Sequence, residues 1–156
     1  MKIKHALAFL IIMIIGLQST NSYSQSTEIH QKFIVQDARF NDIDVSQQWI
    51  AGGAYLAIYT IEGSKEIYFA SVNPGQKSNS SGRIFHLTHF EGDEDDVTYE
   101  NRTFNFQWSY QNSYDTKKGT AKVKIIQVKK NGSVGFTCYI VSENLDQIVF
   151  KGYMED

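Results

Sequence analysis

Between Glu91 and Asp96 the chain packs five carboxylates into six residues, Glu-Gly-Asp-Glu-Asp-Asp, and soon afterwards alternates aromatic with polar side chains from Phe104 to Tyr110. Crowded carboxylates raise the question of calcium, which takes roughly six to eight oxygen ligands. An EF-hand loop sets acids at alternate positions, then a glycine, then a distant bidentate glutamate. Here Asp93 and Asp95 alternate, but Gly92 precedes them and Glu100 falls too early. Asp93, Asp95 and Asp96 therefore stand as calcium candidates behind a simpler reading. That reading is a solvated strand end whose like charges discourage edge-to-edge pairing. No metal or other cofactor is expected.

His86 and His89 resemble a metal pair until the strand period is applied. Residues three apart on a strand face opposite sides, whereas a shared ion needs i and i+2. Cys138 lies on the strand face of Phe136 and Ile140, an apolar setting that suits a buried thiol better than a catalytic thiolate. It is the only cysteine, so an internal disulfide is excluded and packing must supply the stability. Neither Gly-x-Ser-x-Gly nor a glycine-rich phosphate loop occurs. The chain reads as a non-enzyme, the enzyme alternative being a barrel-mouth site near His86.

The aromatic run is the clearest feature. Phe104, Phe106, Trp108 and Tyr110 point one way along a strand, while Thr103, Asn105, Gln107 and Ser109 point the other. Burial is worth roughly 1.5–3 kcal/mol for each large apolar side chain, so the aromatic row must face a core or a binding cavity.

Around this row, short β-branched and aromatic runs alternate with turn residues, an all-β pattern. Strands are expected at 32–41, 54–62, 65–73, 83–91, 97–111, 119–130, 133–142 and 147–154. Glu62-Gly63-Ser64-Lys65 and Lys130-Asn131-Gly132-Ser133 are tight hairpin signals, and Asn73-Pro74-Gly75 opens a polar loop running to Gly82. Between Asp44 and Ile50 one short helical turn is expected, ended by Gly52-Gly53. Tyr55, Ala57, Tyr59 and Ile61 share one strand face, and Ala54, Leu56 and Ile58 the other. Both faces are apolar, which calls for outside cover from Val45–Ile50. In 119–130 the apolar phase shifts from Ala121, Val123 and Ile125 to Ile126 and Val128, the mark of a β-bulge.

Short links favour sequential antiparallel neighbours. The expected fold is all-β, with about eight antiparallel strands in an up-and-down, lipocalin-like barrel or a two-sheet sandwich. The likeness to lipocalins and fatty-acid-binding barrels is architectural only. A lipocalin-like Gly-x-Trp at the first strand is missing, since Gln47-Gln48 precede Trp49.

The chain start bears on location. Met1-Lys-Ile-Lys-His5 is basic, and Ala6–Leu17 is a twelve-residue apolar run. That is short of the roughly 20 residues a membrane-spanning helix needs but right for a secretory signal. Residues 1–24 are read as a signal peptide, 25–31 as a flexible segment and 32–156 as a single β domain. No cysteine follows the apolar run to carry a lipid, and no further membrane segment follows. The expected product is soluble, secreted or periplasmic, and not a lipoprotein. Without Lys2 and Lys4, 13 basic residues face 17 acids, a balance of −4 that opposes nucleic-acid binding.

The expected function is binding of a small apolar or amphipathic ligand in an aromatic-lined interior. The candidates are Phe104, Phe106, Trp108, Tyr110, Tyr55, Tyr59, Phe69 and Phe136. The alternative is an interaction module of the cell envelope that docks a protein through a sheet face or edge. N-terminal sequencing of the exported protein is expected to begin at Gln25 or within a few residues of it. A product retaining Ala6–Leu17 contradicts the signal reading.

Overall fold

A computed structural model describes residues 25–91 and 100–155. Residues 1–24, read as a signal peptide, and the calcium candidates Asp93, Asp95 and Asp96 lie outside the described residues. The chain runs β1 (Thr27–Phe40), β2 (Ile43–Asp44), α1 (Ser46–Ala51), β3 (Tyr55–Ile61), β4 (Ile67–Asn73), a 3-10 turn (Pro74–Gln76), β5 (Ser78–Glu91), β6 (Glu100–Asn112), β7 (Lys118–Lys130), β8 (Ser133–Ser142) and β9 (Gln147–Glu155). Every pairing is antiparallel. Around the barrel the order is β1-β3-β4-β5-β6-β7-β8-β9, and β9 returns to pair with β1. The fold is therefore a closed eight-stranded up-and-down barrel with one extra two-residue strand, β2, on β1. The β1–β9 pairing rules out the two-sheet sandwich.

Closure rests on β1, which serves two neighbours. Its first half pairs with β3, from Thr27↔Ile61 to Ile34↔Tyr55, and its second half with β9, from Lys32↔Glu155 to Phe40↔Ile148. Register shifts between Ile29 and Gln31 and between Val35 and Asp37 bend it to meet both. β1 thus starts at Thr27, earlier than the expected flexible segment to residue 31 allowed. Its polar opening residues remain exposed while their backbones join the ladder, and His30 Nε2 lies 2.9 Å from Thr60 Oγ1 across it.

Hairpin chemistry holds. Asn131 and Gly132 both take positive φ between β7 and β8, as does Gly63 between β3 and β4. α1 ends at Gly52-Gly53, with Gly53 at φ 68 and its N–H donating to the Ile50 carbonyl at 3.0 Å. No side chain caps its start. Asp44 Oδ1 instead accepts the Ser46 N–H at 2.9 Å.

Two expectations are corrected. β7 has no bulge: its register with β6 and β8 is unbroken from Lys118 to Lys130, and its inward row runs Ala121, Val123, Ile125, Gln127. The apparent phase change arises because the fourth inward residue is a buried amide, with Ile126 and Val128 on the outer face. Gln127 is tolerated there because its Nε2 donates to Gln31 Oε1 at 3.1 Å. Second, the polar stretch Ser78–Gly82 is strand, paired with Asn73–Phe69 of β4.

The interior divides by size. Phe33, Leu56, Phe69, Ile125, Cys138 and Phe150 are fully enclosed and, with Phe106 and Phe136, fill the barrel's middle. Rings interlock edge to face, Phe69 lying 5.3 Å from Phe106 and 5.0 Å from Trp108, and Phe33 tilts against Phe136 at 5.1 Å. Gly152 lets β9 approach β1: a Cβ there would lie 1.9 Å from the Ile34 carbonyl oxygen. Gly152→Ala should accordingly destabilise the barrel by about 1–3 kcal/mol through overpacking. A urea midpoint equal to that of the unsubstituted protein contradicts this account of closure.

Candidate functional site

The strand ends that carry α1 and the β4–β5, β6–β7 and β8–β9 turns surround a chamber of about 320 Å³. The inward residues narrow abruptly in size as they approach it. Tyr110 pairs with Gly82 on one side and Gly119 on the other, so its ring stands between two positions without side chains. A Cβ at Gly119 would meet the Tyr110 hydroxyl at 2.7 Å. Ala121 and Ser142 continue the row of small residues beside Trp108. Ser71 of β4 and Ser78 and Ser80 of β5 line the opposite wall.

Aromatic rings frame these hydroxyls. Trp108 and Tyr110 lie 4.7 Å apart at 34°. Trp49 reaches in from α1, its ring 4.7 Å from Phe150 in an edge-on contact, and Phe40 lines the rim. Trp49 of α1 and Val45 just before it therefore pack onto the core at one barrel end instead of covering the outside of β3. The chain's only two tryptophans both line the chamber.

Polar groups at the mouth are largely committed to one another. Asn112 Nδ2 donates to Ser80 Oγ at 3.0 Å, and Asn112 Oδ1 accepts the Tyr114 N–H at 2.7 Å. Asp115 Oδ1 accepts the Lys117 backbone N–H at 3.1 Å, which with the Lys117 ammonium holds its pKa below the ordinary carboxylate value. Lys117 Nζ lies 3.2 Å from Asp115 Oδ2, and Asp146 Oδ1 accepts from Asn41 Nδ2 at 2.9 Å. Three buried groups facing inward at this end have no hydrogen-bond partner among the described residues: the Trp108 indole N–H, Ser142 Oγ and both amide atoms of Asn73. Each such group costs about 1–3 kcal/mol when left unanswered.

Of the residues expected to line a cavity, Trp108 and Tyr110 do so here. Phe69, Phe106 and Phe136 are buried in the packed middle, and Phe104 is half-buried against the same core nearer the far end. Tyr55 and Tyr59 point outward. Tyr55 lies under Lys32 Nζ at 5.2 Å from its centroid, and Tyr59 stacks on Tyr68 at 5.5 Å. The inward residues here are Leu56 and Ile58 of β3 and Ala54 just before it, whose smaller side chains fit beside Phe33 and Phe69. Sequence reasoning did not place Trp49, Ser71, Ser78, Ser80 or Ser142 at a ligand site. The signal was present in Ser78-x-Ser80-x-Gly82-x-Ile84, a period-two row in phase with buried Ile84.

His86 takes φ 52 at the bulge between Phe85 and Thr88, and its neighbours in the outer grooves are Gln107 and Lys122. His89 stacks instead on Phe104, with centroids 6.3 Å apart, so the two imidazoles do not converge. Among the described residues no three His, Cys, Asp or Glu side chains gather where they could hold a metal ion. No helix among them is long and apolar enough to cross a membrane. Compared with known protein families, curated proteins and solved structures, the chain gives no match.

Cys138, opposite Ile125 on β7 and Phe150 on β9, is fully buried, and burial pushes its thiol pKa far up. A folded pKa above the unfolded one means that this contribution is complete below the ordinary value of 9.0 and is lost as pH rises past it. Native protein should resist iodoacetamide at a pH of about 8 and become labelled only on unfolding. Rapid labelling under native conditions contradicts the packed middle.

Proposed function

We propose that this protein binds a small amphipathic ligand in the chamber at the α1 end of the barrel, without catalysing its conversion, as a secreted or periplasmic protein. The single observation that carries the reading is the chamber's composition. Trp49 and Tyr110 offer ring surface beside the nearly buried Trp108, and Ser71, Ser78, Ser80 and Asn112 offer hydroxyls and an amide, around about 320 Å³ of space. That mixture of apolar surface with a few convergent polar groups is what small-molecule sites use, and the volume is near the low end of the roughly 300–1,000 Å³ such sites span. The ligand therefore occupies the mouth and not the barrel's middle.

A second reading, docking of an envelope protein, draws support from Val128 and Tyr153, which are exposed on the outer face of β7–β9. Each barrel strand has two neighbours, but β5 beyond Arg83 has no partner on the β4 side among the described residues, so docking would use this outer face or that half-strand edge.

Native mass spectrometry after gentle purification, followed by tryptophan-emission titration with the released compound, tests the leading reading. A bound mass is expected, with an emission change on rebinding and at least a roughly tenfold loss of affinity in Tyr110→Ala, the effect of about 1.4 kcal/mol. No bound mass, together with an emission spectrum indifferent to a panel of amphiphiles, overturns it.

A further inference from the structure

Resting on the reading of the chamber as a ligand site, we infer that its ligand is an uncharged polyhydroxylated ring, a sugar unit, and not an acyl chain or an anionic headgroup. Shape carries the first part of the argument. Beneath the chamber, Phe33, Leu56, Phe69 and Phe150 are fully enclosed, so no channel leads down the barrel axis to receive a tail. The site takes a short, thick molecule.

Charge carries the second part. The one cationic side chain lining the chamber, Lys117, is paired with Asp115, and a second carboxylate, Asp146, stands at the rim. A phosphate or carboxylate ligand would meet two acids and no available cation, whereas anionic ligands are recognised by Arg, Lys or backbone N–H clusters.

Hydrogen-bonding chemistry carries the third part. Serine hydroxyls both donate and accept, as sugar hydroxyls do, while the indole N–H only donates. Trp108 Nε1 and Ser142 Oγ belong to wall residues, are buried, and have no protein partner. A ring bearing several hydroxyls supplies donors and acceptors for these groups and lays its C–H face on Trp49 or Tyr110, which are less buried than Trp108. A free monosaccharide and the terminal unit of a glycan share this chemistry.

The test uses the intact exported protein and its own tryptophan emission. The probes are methyl glycosides of glucose, galactose and N-acetylglucosamine, the corresponding disaccharides, glucose 6-phosphate and decanoate. At least one neutral glycoside is expected to bind, with glucose 6-phosphate and decanoate silent. Disaccharides that bind more tightly identify a chain end as the natural ligand. Ser142→Ala removes a hydroxyl that has no partner in the fold, so its melting temperature should be unchanged or higher while glycoside affinity falls about three- to tenfold. Trp108→Phe should weaken binding similarly, checked at matched folding by circular dichroism. Binding by decanoate alone overturns the sugar assignment and leaves the chamber reading intact. Glycoside binding that Ser142→Ala and Tyr110→Ala both leave unchanged places the sugar elsewhere and also overturns it. Silence from every probe, with no bound mass from native spectrometry, removes both readings together.

Discussion

Everything in this molecule depends on β1 pairing with two strands at once. By pairing with β3 through its first half and β9 through its second, it converts a meander into a ring with a fixed circumference. A ring of eight strands encloses a set volume at each level, and the side chains pointing inward must fill it or leave it open. In the middle, phenylalanines fill it. Toward α1 the inward positions become Gly82, Gly119, Ala121, Ser142, Ser71 and Ser80, which together cannot. The chamber follows from where small residues stand in a closed barrel, with no special loop required to build it.

Much of this architecture was legible because strand chemistry is local. From Thr103 to Tyr110 the alternation of polar and aromatic residues survives folding intact: Phe106 and Trp108 are buried, while Asn105, Gln107 and Ser109 are exposed. Glycine at Gly63, and Asn131-Gly132, marked hairpins that exist. What local pattern cannot decide is which of two apolar faces turns inward. In β3 the larger rings of Tyr55 and Tyr59 are outside because Phe33 and Phe69 already occupy the space inside. Nor does pattern reading allow for polar residues on the inside. Gln127 imitated a bulge, and Ser78–Gly82 imitated a loop, because each places hydrogen-bonding groups where an apolar residue is the rule. Ser71, Ser78, Ser80 and Ser142, passed over in the sequence, are polar chamber residues that an apolar pattern could not mark.

The outer surface explains how so aromatic a chain tolerates water on that side. Lys32 covers Tyr55, Arg83 lies over the Phe85 ring at 4.6 Å from its centroid, and Tyr59 and Tyr68 cover each other. Arg83 is also ion-paired with Glu66, and Lys32 with Glu155 at 2.5 Å, so the covering cations are themselves oriented. These exposed pairs add little stability each. Their effect is to mask ring faces, which leaves Val128 and Tyr153 as the less protected part of the β7–β9 face.

Unfavourable local features concentrate at one end. Two residues with side chains poorly suited to left-handed backbone, Thr116 at φ 57 and Leu145 at φ 66, sit in the β6–β7 and β8–β9 turns that border the chamber. Asparagine or glycine relieves such positions by roughly 1 kcal/mol, as happens at Asn131-Gly132 on the opposite end. The unanswered Trp108, Ser142 and Asn73 groups belong to this same end. None of these groups takes part in the pairing of β1 with β3 or β9 that closes the barrel. Strain and unmet polar groups cluster at functional sites in proteins generally. The convergence of Trp108, Ser142 and Asn73 around one half-polar, ring-lined chamber is what supports the ligand site proposed there.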